Sequence, residues 1–341
     1  MDRAGFLAKL TEYGDLARAA LIERLPQGEP RAYLYDPMRD YVAHSGKGLR
    51  PALLIASCRA FGGRMDEALT SAAVVELLHN AFLIHDDIQD LSEFRRGRPC
   101  LHERMGVPLA INAGDAMLAH ALRMLRSNIA QLGPARADRI LDEFDHLIAE
   151  SLEGQAMELG WILDNDLTVG TSDYLRMTLK KTCWYSFIHP VRIGALIAQP
   201  GRTDLDRFNA FGFYLGAAFQ IQDDVLNLIG SIEKYGKEIH GDIYEGKRTL
   251  MLSRLAALAD ASELDRLSRF LALPRPQRDT TEVKWVYEAM QRHGTIGFAR
   301  DASRKLVEGA RAAFQTAFAE ASGEDREFIG YCLDFMIERE A

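Results

Sequence analysis

The sequence predicts an all-α fold, a single large helical bundle with a central cavity. Apolar side chains recur at helical spacing along most of the chain, and strictly alternating strand-like runs are absent. Two of the apolar stripes end in carboxylates, Asp86-Asp87 with Asp90 and, far downstream, Asp223-Asp224. Acid at the ends of apolar helices points to a lined cavity. The 341 residues exceed the commonest domain size, yet no composition break or internal repeat divides them, so residues 1–341 are expected to form one domain. An apolar content of 48% is ample for its core.

Residues 3–24 read as an amphipathic helix on Phe6, Leu7, Leu10, Leu16 and Leu21, closed by Leu25-Pro26-Gln27-Gly28. A second helix is expected over 33–44. Gly46-Lys47-Gly48 then turns, and Pro51 opens the next helix, which suits a loop whose backbone and lysine approach a phosphate. Gly62-Gly63 separates it from a helix marked by Val74, Val75, Leu77, Leu78, Phe82 and Leu83. Asp86 and Asp90 share a face of that helix, with Asp87 about 100° round and His79 two turns before Asp86. Like charges one turn apart destabilise a helix by a few tenths of a kcal/mol, and a bound cation reverses the sign. Hard oxygen ligands that leave room for water and phosphate suit Mg²⁺.

Residues 92–108, rich in Arg, Gly and Pro, read as a loop over the mouth of the site, where Arg95 and Arg96 suit bidentate phosphate contacts. Helices are expected over 109–127, 136–163 and 172–197. Gln155 and Glu158 share one face of the second. Lys180-Lys181-Thr182 interrupts the third, and of the adjacent lysines only Lys181 points inward. After Pro200-Gly201 a helix over 204–229 carries Gln220, Asp223 and Asn227 on one face. The Gly- and Lys-rich loop 230–248 supplies Lys237 and Lys247. The remaining amphipathic helices, broken at Leu273-Pro274-Arg275-Pro276, read as packing.

Two acidic helix ends facing each other across a cavity would hold a small cluster of Mg²⁺ ions and need a polyanionic substrate. Lys47, Arg50, Arg95, Arg96, Lys181, Lys237 and Lys247 supply the cations to bind one. The spacing therefore points to a diphosphate with a hydrocarbon tail. The formal net charge of −8 argues against nucleic acid as a partner. Cys58, Cys100, Cys183 and Cys332 are scattered, which fits a reducing compartment and neither a disulfide framework nor a zinc site. The N-terminus lacks a signal-peptide core, and no apolar run approaches the roughly 18 residues of a membrane span.

Ser45-Gly46-Lys47-Gly48-Leu49-Arg50-Pro51, His79, the DDIQD…RRG segment, Lys181-Thr182, FQIQDD and Lys237…Gly246-Lys247 together resemble the ordered motifs of the trans-isoprenyl diphosphate synthases, or polyprenyl synthetases. The match runs from about Tyr41 to Thr249. The short first acidic motif, and Asn227 where most of the family has Asp, are more similar to the geranylgeranyl branch than to bacterial farnesyl synthases. Gly48 replaces a basic residue of the family, and Cys183-Trp184-Tyr185 replaces small residues.

The resemblance implies a bundle of the isoprenoid synthase type and a homodimer, and the scattered cysteines point to the cytoplasm. It implies head-to-tail condensation of an allylic diphosphate with isopentenyl diphosphate, the released pyrophosphate taking the proton. Three Mg²⁺ ions would sit on Asp86, Asp90 and Asp223, with Asp87 and Asp224 in support. Arg95, Lys181, Lys237 and Lys247 would hold the allylic diphosphate. Lys47, Arg50, His79 and Arg96 would hold isopentenyl diphosphate, and Gln220 and Thr182 would face the allylic cation. Loops 92–108 and 230–248 would exclude water. Ala113-Gly114-Asp115 matches a family position read as structural.

The growing chain is expected to run from the acids back along their helix. Ala81 offers no obstruction, Phe82 about 6 Å from Asp86 is the first large obstacle, and Leu78 lies a turn deeper. This favours a geranylgeranyl product, with farnesyl or longer products as alternatives. A class I terpene cyclase would carry a different downstream metal motif and no second diphosphate pocket. A head-to-head enzyme would carry two D-x-x-x-D motifs, and a non-catalytic partner subunit would have lost ligands.

Overall fold

The computed structural model describes residues 1–201, 204–230 and 239–338, so Lys237 lies outside the described residues. The numbered helices are α1 (Arg3–Arg24), α2 (Asp36–Ala43), α3 (Leu49–Ala60), α4 (Met65–Gln89), α5 (Val107–Leu125) and α6 (Pro134–Leu163). Next comes α7, a continuous rod of three segments: Thr171–Thr178, a π-helical stretch Leu179–Ile188, and His189–Ala198. The rest are α8 (Asn209–Ile229), α9 (Leu250–Leu258), α10 (Ala261–Leu271), α11 (Thr280–Arg292), α12 (Thr295–Ala317) and α13 (Gly323–Glu338).

Local chemistry explains the boundaries. Asp2 caps α1 by accepting from the Gly5 amide at 2.8 Å. The helix expected over 33–44 divides into a π-turn, Arg31–Tyr35, and α2. That expected over 204–229 begins later, because Asp204 caps a separate 3₁₀ turn, Leu205–Phe208, ahead of α8. Before α3, Gly48 has φ +70°, and a Cβ there would lie 2.7 Å from Gly14 Cα of α1. Only glycine suits both demands. That is a physical reason for Gly48 where the family has a basic residue.

The segment 92–108, expected as a loop, contains a hairpin. Phe94 pairs with Pro99 and Arg95 with Arg98 across a two-residue turn in which Arg96 and Gly97 have φ of 55° and 73°. Positive φ at both central residues is the turn that suits a twisted hairpin. A short helix, Leu101–Met105, follows.

Helices α3, α4, α7 and α8 form the heart of the bundle. α4 packs on α3 and α5, the last segment of α7 on α3, and α8 on α7 and α12. One buried cluster joins α1, α3, α4, α5, α8, α12 and α13, with Phe6 stacked on Phe328 at 4.9 Å. A second gathers α9 to α12 around the lower half of α8. Contrary to the sequence expectation, α4 is long and apolar enough to cross a membrane; it is, however, mostly buried in the bundle and carries Glu76, His79 and Asp86 inward.

A buried polar staple joins α6 to α7. Glu143 accepts both arms of Arg192 at 2.7 Å and His189 Nδ1 at 2.8 Å, and His189 Nε2 accepts from His146 at 2.9 Å. Burial opposes the Glu143 charge, yet Arg192 and His189 override it and hold the carboxyl down at about 2. The folded pKa is depressed, so the staple is at full strength above about pH 4.5 and is lost as pH falls toward 2. Glu143→Gln is expected to destabilise the fold at neutral pH by roughly 3 kcal/mol and to flatten its acid dependence in that window. Chemical denaturation across pH measures both, and an unchanged acid limb would contradict the assignment.

Candidate active site

A cavity of about 1160 Å³ opens between α3, α4, α6, α7 and α8. The chain positions its charges from several directions. α4 turns Glu76, His79, Phe82, Leu83 and Asp86 to the wall, α8 turns Gln220, Asp223 and Asp224 to it, and Lys47 and Arg50 enter from the start of α3. Gly154 of α6 lets α7 approach so closely that any Cβ there would collide with the Lys181 backbone. That close approach brings Lys181 inward, where its Nζ pairs with Glu158 and lies 3.5 Å from Asp86. Lys180 instead turns out to Glu150 and Glu153, at 2.9 and 2.6 Å.

The two acidic motifs do not present all their carboxylates alike. Asp86 faces the cavity, where Arg95 reaches it at 3.2 Å. Asp87, expected to support the metal, is 1% exposed and turned behind the wall onto Arg95 (2.5 Å) and the Tyr41 hydroxyl (3.4 Å), so it anchors an arginine. Asp90, also buried, accepts from Lys247 at 2.6 Å, and Glu245 and Arg275 complete that cluster. Burial pushes Asp90 up to about 7, against the pull of Lys247 and with repulsion from Asp86 and Glu245. Conversely, Asp90 and Glu245 overcome the burial of Lys247 and hold it well above its ordinary value.

On α8, Asp224 is anchored at both oxygens, to Gln220 at 2.7 Å and the Tyr174 hydroxyl at 2.8 Å, and Gln220 in turn accepts from Thr182 at 2.8 Å. Burial raises Asp224 to about 7, with Asp223 and Glu158 adding repulsion against the two hydrogen bonds. Asn227, expected on the face with Gln220 and Asp223, is buried and binds the backbone: its Oδ1 accepts the Asp242 amide at 3.1 Å. It thereby fastens the short helix Gly241–Glu245 beside the cavity.

The hairpin turn separates its two arginines. Arg95 goes to the acids, and Arg96 crosses to the other rim, bonding the His44 carbonyl at 3.2 Å and covering Gly46. Arg50 is caged by uncharged partners: Ser186 at 3.0 Å, His79 Nε2 at 3.2 Å and the Tyr185 hydroxyl at 2.8 Å. Because Arg50 can only donate, His79 Nε2 accepts and its Nδ1 carries the proton. That Nδ1 is buried and has no hydrogen-bond partner. Burial, with Arg50 and Arg96 close by, drives the His79 pKa well below its ordinary value, so the ring is neutral.

Lys47, Arg50, His79 and Arg96 therefore lie together on one side, and Arg95, Lys181 and Lys247 cluster on the carboxylates. Leu78 and Ala81, expected near the floor of a tunnel, are packed in the core at 1% and 0% exposure, and the wall continues from Phe82 through His79 to Glu76. The motifs do not reveal Tyr174, Tyr185 and Ser186. Ala113-Gly114-Asp115 has a structural use, Asp115 meeting His85 at 3.4 Å.

Among the described residues no group of three or more His, Cys, Asp or Glu side chains is assembled to hold a metal unaided. Asp86 and Asp223 nevertheless present carboxylate oxygens to one cavity, and buried acids crowd behind them. This donor set fits Mg²⁺, which binds through one or two carboxylates and takes its other ligands from water and substrate phosphate.

The polyprenyl synthetase family model matches residues 31–290. A geranylgeranyl pyrophosphate synthase of Geoglobus acetivorans is 31% identical over 326 residues, which is 95% of this chain and 96% of that protein. The crystal structure of geranylgeranyl pyrophosphate synthetase from Pyrococcus horikoshii superposes with a TM-score of 0.85 at 29% identity, covering 98% of each chain. A polyprenyl synthase from Caulobacter crescentus, complexed with calcium and isoprenyl diphosphate, gives 0.85 at 25% identity, again over 98% of each chain. The two acidic helix ends and the cations around them thus sit in a fold shared with these enzymes over nearly its whole length, and the chain belongs to the polyprenyl synthetase family of prenyltransferases.

Proposed function

We propose that this enzyme condenses isopentenyl diphosphate head-to-tail with an allylic diphosphate, with geranylgeranyl diphosphate as its main product. One observation carries the reading: one cavity is lined by two sets of cations, Arg95, Lys181 and Lys247 paired with Asp86, Asp90 and Glu158, and Lys47, Arg50 and Arg96 near the buried Glu76. Lys181 and Lys247, with Arg95, lie where an allylic diphosphate would meet Asp86, Asp90 and Asp223. Lys47, Arg50, His79 and Arg96 form the second pocket, for isopentenyl diphosphate, and the orphaned His79 Nδ1–H is a donor suited to a phosphate oxygen. Lys237 is assigned to the allylic group from its motif alone.

Asp86, Asp90 and Asp223 would hold Mg²⁺, three ions as in the family pattern, which when bound neutralises charge on the departing diphosphate. The chain's own groups do the rest. Lys181, anchored by Glu158, and Lys247, anchored by Glu245, stabilise negative charge as the allylic C–O bond breaks. Thr182 and Gln220, hydrogen-bonded to each other, line the cavity beside the allylic carbon. Arg50 and Lys47 orient isopentenyl diphosphate so that its double bond faces that carbon. The proton lost after bond formation goes to the released pyrophosphate, as in the family pattern. The enzyme acts in the cytoplasm as one domain over 1–341 and as a homodimer. Exposed apolar side chains on α5 (Val107, Ile111, Leu122) and α6 (Leu141, Leu152) support self-association.

Product analysis after incubation with labelled isopentenyl diphosphate, Mg²⁺ and geranyl or farnesyl diphosphate tests the reading. The expected product has twenty carbons, and accumulation of a fifteen-carbon product would overturn the assignment. Phe82, on the cavity wall, is the chain-length determinant. Phe82→Ala is expected to shift products to longer chains with the first isopentenyl unit still consumed at near the normal rate. An unchanged distribution would place the floor elsewhere.

A further inference from the structure

Where the family carries small residues, this chain has Tyr185, in the π-helical stretch of α7. π-Helical turns are rare and concentrate at functional sites. Tyr185 faces the cavity and makes two kinds of contact at once. Its hydroxyl accepts from Arg50 Nη2 at 2.8 Å, and its ring lies under the same guanidinium at 4.4 Å from ring centre to Cζ. The ring also meets Phe82 edge-on, with centroids 5.8 Å apart, and His79 at 5.9 Å. Ser186, next in the chain, holds Arg50 Nε at 3.0 Å. The hydrogen-bond partners of Arg50 are thus neutral and fix its direction, and the buried Glu76 on the same wall lies within electrostatic reach of its charge.

We propose that Tyr185 is a positioning and specificity residue that couples the two ends of the site. Its hydroxyl and ring aim Arg50 at isopentenyl diphosphate, and the same ring, packed on Phe82, completes the aromatic wall that limits product length. This rests on the proposed condensation and adds a determinant on α7, facing the acidic helix across the cavity. The two roles are separable because one belongs to the oxygen and the other to the ring.

Steady-state kinetics and product analysis of Tyr185→Phe and Tyr185→Leu, with thermal melts of each, test it. Tyr185→Phe keeps the ring. It is expected to raise KM for isopentenyl diphosphate about 10-fold, the scale of one hydrogen bond to a charged group, with KM for the allylic substrate and product length unchanged. Tyr185→Leu fills much of the space without ring or hydroxyl, and is expected to raise the same KM and add products at least one isoprene unit longer. A Phe variant with unaltered KM for isopentenyl diphosphate, or with both KM values raised equally, overturns the positioning role. A Leu variant with the wild-type product distribution overturns the wall. If wild-type enzyme fails to condense the two substrates, the underlying function falls instead.

Discussion

Replacing Asp86 or Asp223 with alanine is expected to lower turnover by about 10³-fold or more, several kcal/mol of transition-state stabilisation. Each removes a carboxylate from the cavity wall, where charge must be balanced as diphosphate departs. Asp86 has a second task, because Arg95 and Lys181 both reach it. Without it those cations reorient, and allylic binding weakens as well. Folding should survive, since the Asp86 side chain is 20% exposed and outside the apolar core. Asp87→Ala is a useful contrast: it leaves Arg95 buried without its nearest carboxylate, so stability falls along with activity. Turnover at saturating substrate, with a melt on each variant, separates the cases. Near-wild-type turnover for Asp86→Ala or Asp223→Ala would contradict the assignment of these acids.

Lys47→Ala and Lys247→Ala are expected to divide the two substrates. Lys47 is exposed at the rim beside Arg96, and its loss should raise KM for isopentenyl diphosphate by about 10-fold or more, as for one charged phosphate contact. Lys247 is held between Asp90 and Glu245 at 2.6 Å each. Its removal should raise KM for the allylic substrate and also lower kcat, because two buried acids lose their counter-charge. Initial rates with each substrate varied in turn decide the matter. If both variants raise the same KM, the division of the cations is wrong.

The helices themselves were legible because apolar periodicity and breakers govern them: Arg3–Arg24 spans the expected 3–24, and the acids end α4 and line α8 as foreseen. The motif residues Lys47, Arg50, His79, Asp86, Lys181, Gln220 and Asp223 reach one cavity. What escaped the sequence lies in side-chain direction. Helical rotation set Asp87 about 100° from Asp86 as expected, but its partners were not legible: Asp87 turns to Arg95 and Tyr41 while Asp86 faces the cavity. The hairpin at 94–99 is too short for an alternating pattern and places an arginine at positive φ. The π-helical stretch has no periodicity that distinguishes it, so Tyr185 could not be placed beside Arg50. Leu78 and Ala81 lie at the expected distance along α4, packed in the core.

The most direct test of condensation in one cavity is release of inorganic pyrophosphate by the purified enzyme with Mg²⁺, measured with each substrate alone and with both. The two-pocket account predicts rapid release only when isopentenyl diphosphate and an allylic diphosphate are present together, with the new carbon chain in the product. Rapid release from the allylic diphosphate alone, leaving a free hydrocarbon, would contradict it.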